Sequence, residues 1–231
     1  MKVKEIKQRK GFRDVFNLHM IKEAKLITDL ELPYISKYSG PAPTSLLNYV
    51  QKTNKPEKFF VHFYLYDYYF DNSNSIWHGI SKDDSRKATF LDRLKKYNGV
   101  ITPDYSIYKD MPLIMQLWNI YRTRAMYVWL VSNNLNVILN VRWGDYRTYK
   151  YAFSGIEKHS TLSVGSHGLI QDRDDRHDFM NGFKEMIRRL EPDCLVIYGP
   201  VTSDMKNVCD SYGVKILPFE CEIKSAHSGV Q

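Results

Sequence analysis

Apolar and β-branched residues recur along the chain in short runs, and amphipathic stretches separate most of these runs. The runs have the length and composition of strands, and most are apolar at nearly every position. They cover residues 59–66, 100–102, 137–143, 161–165, 194–198 and 214–219. Because a continuous apolar run is typical of a strand buried on both faces, the pattern predicts about six strands inside the molecule.

The amphipathic stretches repeat apolar residues at three- and four-residue steps and predict helices. They cover residues 82–97, 110–132, 178–190 and 203–212. In the clearest one, Asp110 can cap the helix start and Pro112 suits the first turn, where a backbone donor would have no partner. Strands that alternate with helices predict an α/β fold with a mostly parallel sheet. We expect a barrel-like or incomplete-barrel form, and the alternative is an open doubly wound sheet.

Three segments differ in composition. Residues 1–58 are predicted to form a basic, loop-rich lead-in packed on the main domain, with a weak helical pattern over 14–30 and loops rich in Pro and Gly over 31–58. Residues 59–220 form the α/β domain, and residues 221–231 form a polar tail. The length of 231 residues suits a single large domain.

Charge is concentrated at the amino end. The chain carries a net charge of +7, and residues 1–13 supply +5 of it through six basic residues and one acidic residue. This segment could bind nucleic acid through phosphate contacts, and the alternative is a solvated basic end. The candidate nucleic-acid-binding residues are Lys7, Arg9, Lys10 and Arg13.

The cysteines and the hydropathy indicate a compartment. Cys194, Cys209 and Cys221 lack both a paired framework and the close spacing of a zinc or redox motif, which favours a reducing environment. No run approaches the roughly 18 apolar residues of a membrane span. We therefore expect a cytoplasmic protein that does not insert into a membrane.

Polar side chains follow the predicted strands at their carboxyl ends, where ligands bind in parallel α/β sheets because loops converge there. Carboxylates and a histidine could hold a divalent metal or act as general acid and base. The candidate catalytic residues are Asp67, Asp104, His167 and Glu220. Arg142 could bind a phosphate or carboxylate. The candidate ligand-binding residues at these ends are Arg142, Trp143, Asp145, Ser166 and Tyr198. The alternative is that turns simply favour polar residues.

Two further motifs give weaker evidence for a functional site. Residues 165–168, Gly-Ser-His-Gly, lack the lysine of a P-loop and the glycine spacing of a dinucleotide fold. Residues 172–178 hold four Asp with interleaved Arg, and we expect a solvated loop with a capping Asp rather than a metal cluster.

The stretch over residues 59–199 resembles the family catalogued as domain of unknown function 4417, found in phages, prophages and other mobile elements. The resemblance lies in Val61-His62-Phe63-Tyr64 with Asp67, in residues 99–108, in Met111-Pro112 followed by residues 116–124, and in residues 137–143 and 196–199. It implies a mobile-element setting and no assigned activity. Asp104, Arg122, Arg142 and Trp143 lie in the segments that carry the resemblance, which adds Arg122 to the candidate ligand-binding residues.

Three functions compete. The first is a small enzyme or ligand-binding protein that acts on a phosphorylated or nucleotide-like ligand at the strand ends. The second is a nucleic-acid-binding accessory protein of a mobile element, with the basic lead-in on phosphates and surface Tyr rings on bases. The third is a protein that binds a host defence or replication factor through an exposed apolar patch.

Overall fold

The computed structural model describes residues 16–72, 75–80, 84–169 and 172–221. Along these residues strands and helices alternate, and the lead-in adds three short strands. The order is β1 (Leu26–Ile27), β2 (Leu32–Pro33), β3 (Leu46–Asn48), β4 (Phe60–His62), α1 (Asp67–Phe70), α2 (Ile76–Ile80), α3 (Asp84–Leu94), β5 (Gly99–Ile101), α4 (Leu113–Ser132), β6 (Val137–Asn140), α5 (Tyr146–Phe153), β7 (Thr161–Gly165), α6 (Arg173–Leu190), β8 (Cys194–Tyr198), α7 (Ser203–Ser211) and β9 (Lys215–Phe219). Short 3-10 turns occupy Leu18–Ile21 and Pro56–Lys58.

The main sheet contains, among the described residues, seven parallel strands in the same order as in the chain, from β3 to β9. Crossovers between parallel strands are right-handed, so an order that never reverses places the connecting helices on one face of the sheet. A doubly wound sheet reverses its order and carries helices on both faces. The sheet is a curled half-barrel, which confirms the incomplete-barrel prediction against the open alternative.

The two faces of the half-barrel have separate apolar cores. Toward the helices, Val61, Val100, Leu139 and Leu195 belong to the large core. Toward the concave inside, Phe60, Ile101, Ile138 and Val196 pack with Tyr38. Tyr38 lies at the amino end of β7, where its N–H donates to Ser160 Oγ at 2.9 Å and its carbonyl accepts from Thr161. The lead-in therefore fills one end of the inside, and the carboxyl ends of the strands stay available for polar groups.

The predicted lead-in is more regular than expected. Over residues 16–30 the structure has the 3-10 turn and β1 in place of the predicted helical pattern, and Asn17 and Thr28 adopt positive φ angles that interrupt a right-handed helix. The predicted loop over 31–58 contains β2 and β3, and Leu46 of β3 pairs with Phe60 of β4. The lead-in thus supplies an edge strand of the main sheet.

Several element boundaries also differ from the predictions. Asp110 does not cap α4, since the helix begins at Leu113 and its N-cap residue is Pro112. The run over 172–178 is not a loop: α6 begins at Arg173, and the Asp172 carboxylate accepts from the N–H groups of Asp174 and Asp175. Three helices, α1, α2 and α5, were not predicted, because they are too short for a clear apolar period.

Candidate functional site

A pocket of about 370 Å³ lies at the carboxyl ends of β5, β6 and β7. Its walls come from the loops after these strands and from the start of α6. The lining residues are Ile107, Tyr108, Lys109, Asp110, Val141, Arg142, Trp143, Gly144, Gly165, Gly168, Leu169, Asp175, Asp178 and Phe179. A hollow of about 450 Å³ between α2 and α3 is larger, but none of the predicted strand-end residues lines it. The pocket at the strand ends is therefore the candidate site.

Asp104 and Arg142 meet beside this pocket, as the strand-end hypothesis expects. Both side chains are 15% exposed, and Arg142 Nη1 lies 3.7 Å from Asp104 Oδ2, which is a loose ion pair. Arg142 Nε is buried and has no hydrogen-bond partner within the described residues. Asp104 Oδ2 also faces Gly165, since a Cβ built on that glycine would lie 3.7 Å from it. Arg142 thus lines the pocket with an incompletely paired guanidinium, and Asp104 lies next to it.

A buried hydrogen-bond chain holds the other oxygen of Asp104. Asn140 Nδ2 donates to Asp104 Oδ1 at 2.7 Å, and Tyr64 Oη donates to Asn140 Oδ1 at 3.0 Å. Ser163 Oγ lies 2.6 Å from Tyr64 Oη. Burial, with the charge of Asp104 as a smaller cause, raises the pKa of Tyr64 well above its usual value. The phenol therefore keeps its proton at neutral pH and fixes the orientation of the amide.

Tyr64 is itself positioned by rings and by a glycine. Its ring lies nearly parallel to that of Tyr198, with centroids 4.9 Å apart and planes at 8°. A Cβ on Gly165 would come within 3.0 Å of the Tyr64 ring. Tyr198 is buried and contributes to the wall that supports this chain.

Asp67 and Arg122 belong to a neighbouring cluster under the loop after β5. Asp67 accepts from the N–H of Ser106 at 3.3 Å, and burial raises its pKa, with Asp104 and Asp71 adding smaller repulsions. Arg122 binds both oxygens of Asp71, at 2.9 and 2.7 Å, and its guanidinium lies 3.8 Å from the centre of the Tyr105 ring. Arg122 is therefore held in a structural ion pair and does not line the pocket.

The other predicted strand-end residues have separate places. Trp143 is buried against Phe153 and Phe179 and forms one edge of the pocket. Asp145 caps α5 and binds Arg147. Ser166 is buried and donates to the carbonyl of Pro200 at 2.7 Å. His167 is half-buried in the loop after β7, and Glu220 is exposed after the edge strand β9.

Sequence reasoning missed the residues that orient Asp104, namely Tyr64, Asn140 and Ser163. A signal for two of them exists, because Asn140 and Ser163 are polar residues inside apolar strands. A buried polar group needs a hydrogen-bond partner, so such a position indicates a network on the inner face. Tyr64 gives no such signal, since it reads as one more aromatic residue in an apolar run.

The described residues offer little evidence for or against the predicted metal and nucleic-acid sites. Across residues 16–72, 75–80, 84–169 and 172–221, no three His, Cys, Asp or Glu side chains gather where they could hold a metal ion. The candidate nucleic-acid-binding residues Lys7, Arg9, Lys10 and Arg13 lie outside the described residues. In the same described ranges, every helix is too short or too polar to cross a lipid bilayer.

Comparisons with known proteins give a family and a setting. The family described as Domain of unknown function (DUF4417) matches residues 26–219. The chain is similar to the Gene 1 protein of Mycobacterium phage L5, with 30% identity over 197 residues that cover 82% of this chain and 79% of the phage protein. It is also similar to the Gene 1 protein of Mycobacterium phage D29, with 30% identity over 139 residues, 60% of this chain and 48% of that protein. No solved structure matches the chain.

The match corrects the extent of the predicted resemblance. It begins at residue 26 and ends at residue 219, so it includes much of the lead-in and the last strand, which the sequence motifs had left outside. The two phage relatives fit the mobile-element setting. Since the family match covers most of the sequence, the chain belongs to the DUF4417 family.

Proposed function

We propose that the protein binds a phosphorylated or nucleotide-like ligand in the pocket at the carboxyl ends of β5, β6 and β7, where Asp104 supplies acid–base chemistry. The observation that supports this proposal is the incomplete pairing of the Arg142 guanidinium. Its side chain is 15% exposed at the pocket wall, its Nε has no partner within the described residues, and its contact with Asp104 is 3.7 Å long. A largely buried guanidinium with unused donors is stabilised by an acidic or carbonyl oxygen of a ligand.

The pocket walls favour a ligand with a planar organic body. Ile107, Val141, Trp143, Leu169 and Phe179 supply apolar surface. The glycines of the lining let a ligand approach the backbone closely. The volume of about 370 Å³ lies in the usual range for small-molecule sites.

Charge at the rim favours one acidic group over a long polyphosphate. Asp110, Asp175 and Asp178 line the pocket together with Lys109. Lys109 Nζ already lies 3.0 Å from Asp175 and 3.2 Å from Asp178, so its charge is neutralised. A chain of phosphates would meet these carboxylates, whereas one phosphate or carboxylate could reach Arg142.

Asp104 is the candidate general base or acid, because its Oδ2 lies beside Arg142 and Gly165, two residues of the pocket lining, and its Oδ1 is held by Asn140. Asn140 and Tyr64 are positioning residues in this proposal, since they act through Asp104. Arg142 binds the ligand. This division of roles gives each residue a different expected phenotype.

Binding is tested by isothermal titration calorimetry of the full chain with AMP, GMP, CMP, UMP and inorganic phosphate. We expect at least one nucleoside monophosphate to bind, and Arg142→Met to weaken it by about tenfold or more, the value of a lost charge-assisted hydrogen bond. Arg188→Met is the matched control, since Arg188 is exposed on α6 and binds Glu185. Failure of all five probes, or equal affinity in wild type and Arg142→Met, overturns the proposal.

The role of Asp104 is tested separately with Asp104→Asn, which keeps the size and one acceptor oxygen. We expect binding within a few-fold of wild type, and a loss of about 10²–10⁴-fold in any conversion of the bound monophosphate followed by NMR. An Asp104→Asn variant that turns over at the wild-type rate removes the acid–base role.

A further inference from the structure

Helix α4 exposes apolar side chains and buries its charged ones. Its exposed residues are Ile114, Met115, Trp118, Val131 and Ser132, and none of them is charged. The two charged residues of the helix, Arg122 and Arg124, are buried. A helix at the surface of a single chain normally turns its charged side to water, and a helix that is apolar all round is normally covered. The exposed part of α4 therefore indicates a surface that another molecule covers.

The start of α4 meets α1 and the loop after β5 at Ser106. The Ser106 carbonyl accepts from Asn119 Nδ2 of α4 at 2.6 Å, and the Ser106 N–H donates to Asp67 of α1 at 3.3 Å. Ser106 Oγ accepts from Tyr108 Oη at 3.3 Å. The large exposed side chains of these three segments include Tyr66, Tyr68, Tyr108, Ile114, Met115 and Trp118. We call these six residues the uncharged face.

The composition of the uncharged face is typical of a protein interface. Tyr, Trp and Met are enriched in the cores of such interfaces, where charged residues are depleted. Trp118 is also fixed in place, since its ring stacks on Tyr121 with centroids 5.3 Å apart and meets the Trp77 ring edge to face at 5.8 Å. A partner therefore binds a ring that is already ordered, which lowers the entropic cost of association.

The charge of this face favours a second copy of the chain as the partner. The whole chain carries a net charge of +7, which keeps copies apart wherever charged surfaces would meet. In a dimer with two-fold symmetry the same face meets itself, so the face has to be complementary to itself. Apolar side chains satisfy this condition. Tyrosine hydroxyls satisfy it as well, because each can both donate and accept a hydrogen bond.

An anionic partner such as a nucleic acid fits this face less well. None of its six side chains is a cation, and Lys109, which follows Tyr108, is already paired with Asp175 and Asp178 at 3.0 and 3.2 Å. A phosphate backbone is held by Lys and Arg side chains with available charge. The described residues of this face do not provide them.

We propose that the uncharged face is the interface of a homodimer, in which Ile114, Met115 and Trp118 of one copy pack against the same face of the other. Sedimentation velocity of the full chain tests this at concentrations up to about 100 µM, where a dimer with a micromolar Kd predominates. We expect twice the monomer mass of 27.2 kDa.

The contact is tested with Ile114→Lys combined with Met115→Lys. Ile114 is 73% exposed and Met115 50%, so the monomer should keep its fold, which circular dichroism checks. Like charges then meet across the interface, and we expect the dimer to weaken by about a hundredfold or more. Val131→Lys is the matched control, because Val131 is exposed at the other end of the same helix and should leave the Kd within a few-fold.

Mixing this variant with Ile114→Asp combined with Met115→Asp places opposite charges on the two halves and should restore association. Contact with a different protein would not give this rescue. The proposal is overturned if the wild type stays monomeric, which leaves the face to a partner of another kind. It is equally overturned if the double lysine variant dimerises as the wild type does, if Val131→Lys dissociates the dimer to the same extent, or if the mixed variants do not associate.

Discussion

Replacing Arg124 with alanine is expected to lower the free energy of unfolding by about 3–5 kcal/mol, because the change leaves buried carbonyls without donors and opens a cavity. Arg124 lies on α4, is 2% exposed and donates to the carbonyls of Pro33, Tyr151 and Ala152 at 3.3, 2.7 and 3.1 Å. Tyr151 and Ala152 are in the last turn of α5, whose carbonyls lack partners within the helix. Arg124 thus joins the lead-in, α4 and α5.

The charge of Arg124 contributes to this effect. Burial lowers the pKa of Arg124 to about 9, so the guanidinium is still protonated at neutral pH. A positive charge at the carboxyl end of α5 is favourable for the helix dipole. Arg124→Lys keeps the positive charge but has fewer hydrogen-bond donors. We expect its free energy of unfolding to lie between those of the wild type and Arg124→Ala.

Urea unfolding followed by tryptophan fluorescence and circular dichroism measures these changes. Arg188→Ala is the control, since this exposed arginine binds only Glu185 on the same helix among the contacts described. Its unfolding curve should match that of the wild type. An Arg124→Ala variant with the wild-type midpoint would contradict the structural role assigned to this arginine.

The second large effect is acid destabilisation through His62. Its ring is buried on the inner face against the rings of Tyr64 and Tyr198, with centroids 5.6 and 4.5 Å away, and Nδ1 accepts from the Tyr64 N–H. Burial lowers the pKa of His62 from 6.5 to about 3. Between these pH values the histidine of the unfolded chain binds a proton and that of the folded chain does not. The contribution of neutral His62 to the free energy of unfolding is therefore fully present above about pH 6.5 and is lost as the pH falls toward 3. We expect a loss of about 2 kcal/mol by pH 5 and about 3 by pH 4.

His62→Asn isolates this contribution, because asparagine keeps an acceptor for the Tyr64 N–H and cannot ionise. The free energy of unfolding of both proteins is measured from pH 7 to pH 4. The difference between the two slopes of this free energy against pH gives the contribution of His62. Exposed histidines and carboxylates titrate equally in both proteins. If the two proteins lose stability in parallel, His62 is not the buried neutral group that the structure describes.

The strands of the half-barrel were largely predictable from the sequence, and several connections were not. Strands β7 and β8 coincide with the predicted runs at 161–165 and 194–198, and the reason is clearest in β8, because a five-residue run that is apolar at nearly every position is typical of a buried parallel strand. Strand β3 was missed, since three residues between prolines carry no period. Its pairing with β4 comes from long-range contacts that local propensity does not encode.

The candidate site was also only partly predictable from the sequence. The rule that strand ends converge brought Asp104 and Arg142 together in the prediction, and the structure places them 3.7 Å apart. The same rule also selected Ser166 and Asp145, whose side chains bind a backbone carbonyl and a helix start. A sequence cannot separate these cases, because a polar residue after a strand has the same local pattern whether it faces a pocket or its own loop.

The sequence by itself determined the alternation of strand and helix, the buried strands and the basic amino end, because each depends on the order of neighbouring residues. Only the tertiary structure decided the unreversed strand order, the chain from Tyr64 through Asn140 to Asp104, and the ion pair of Arg122 with Asp71. These features depend on which side chains from distant segments fill the same space. Packing and hydrogen bonding across the curled sheet fix that choice, and no local pattern records it.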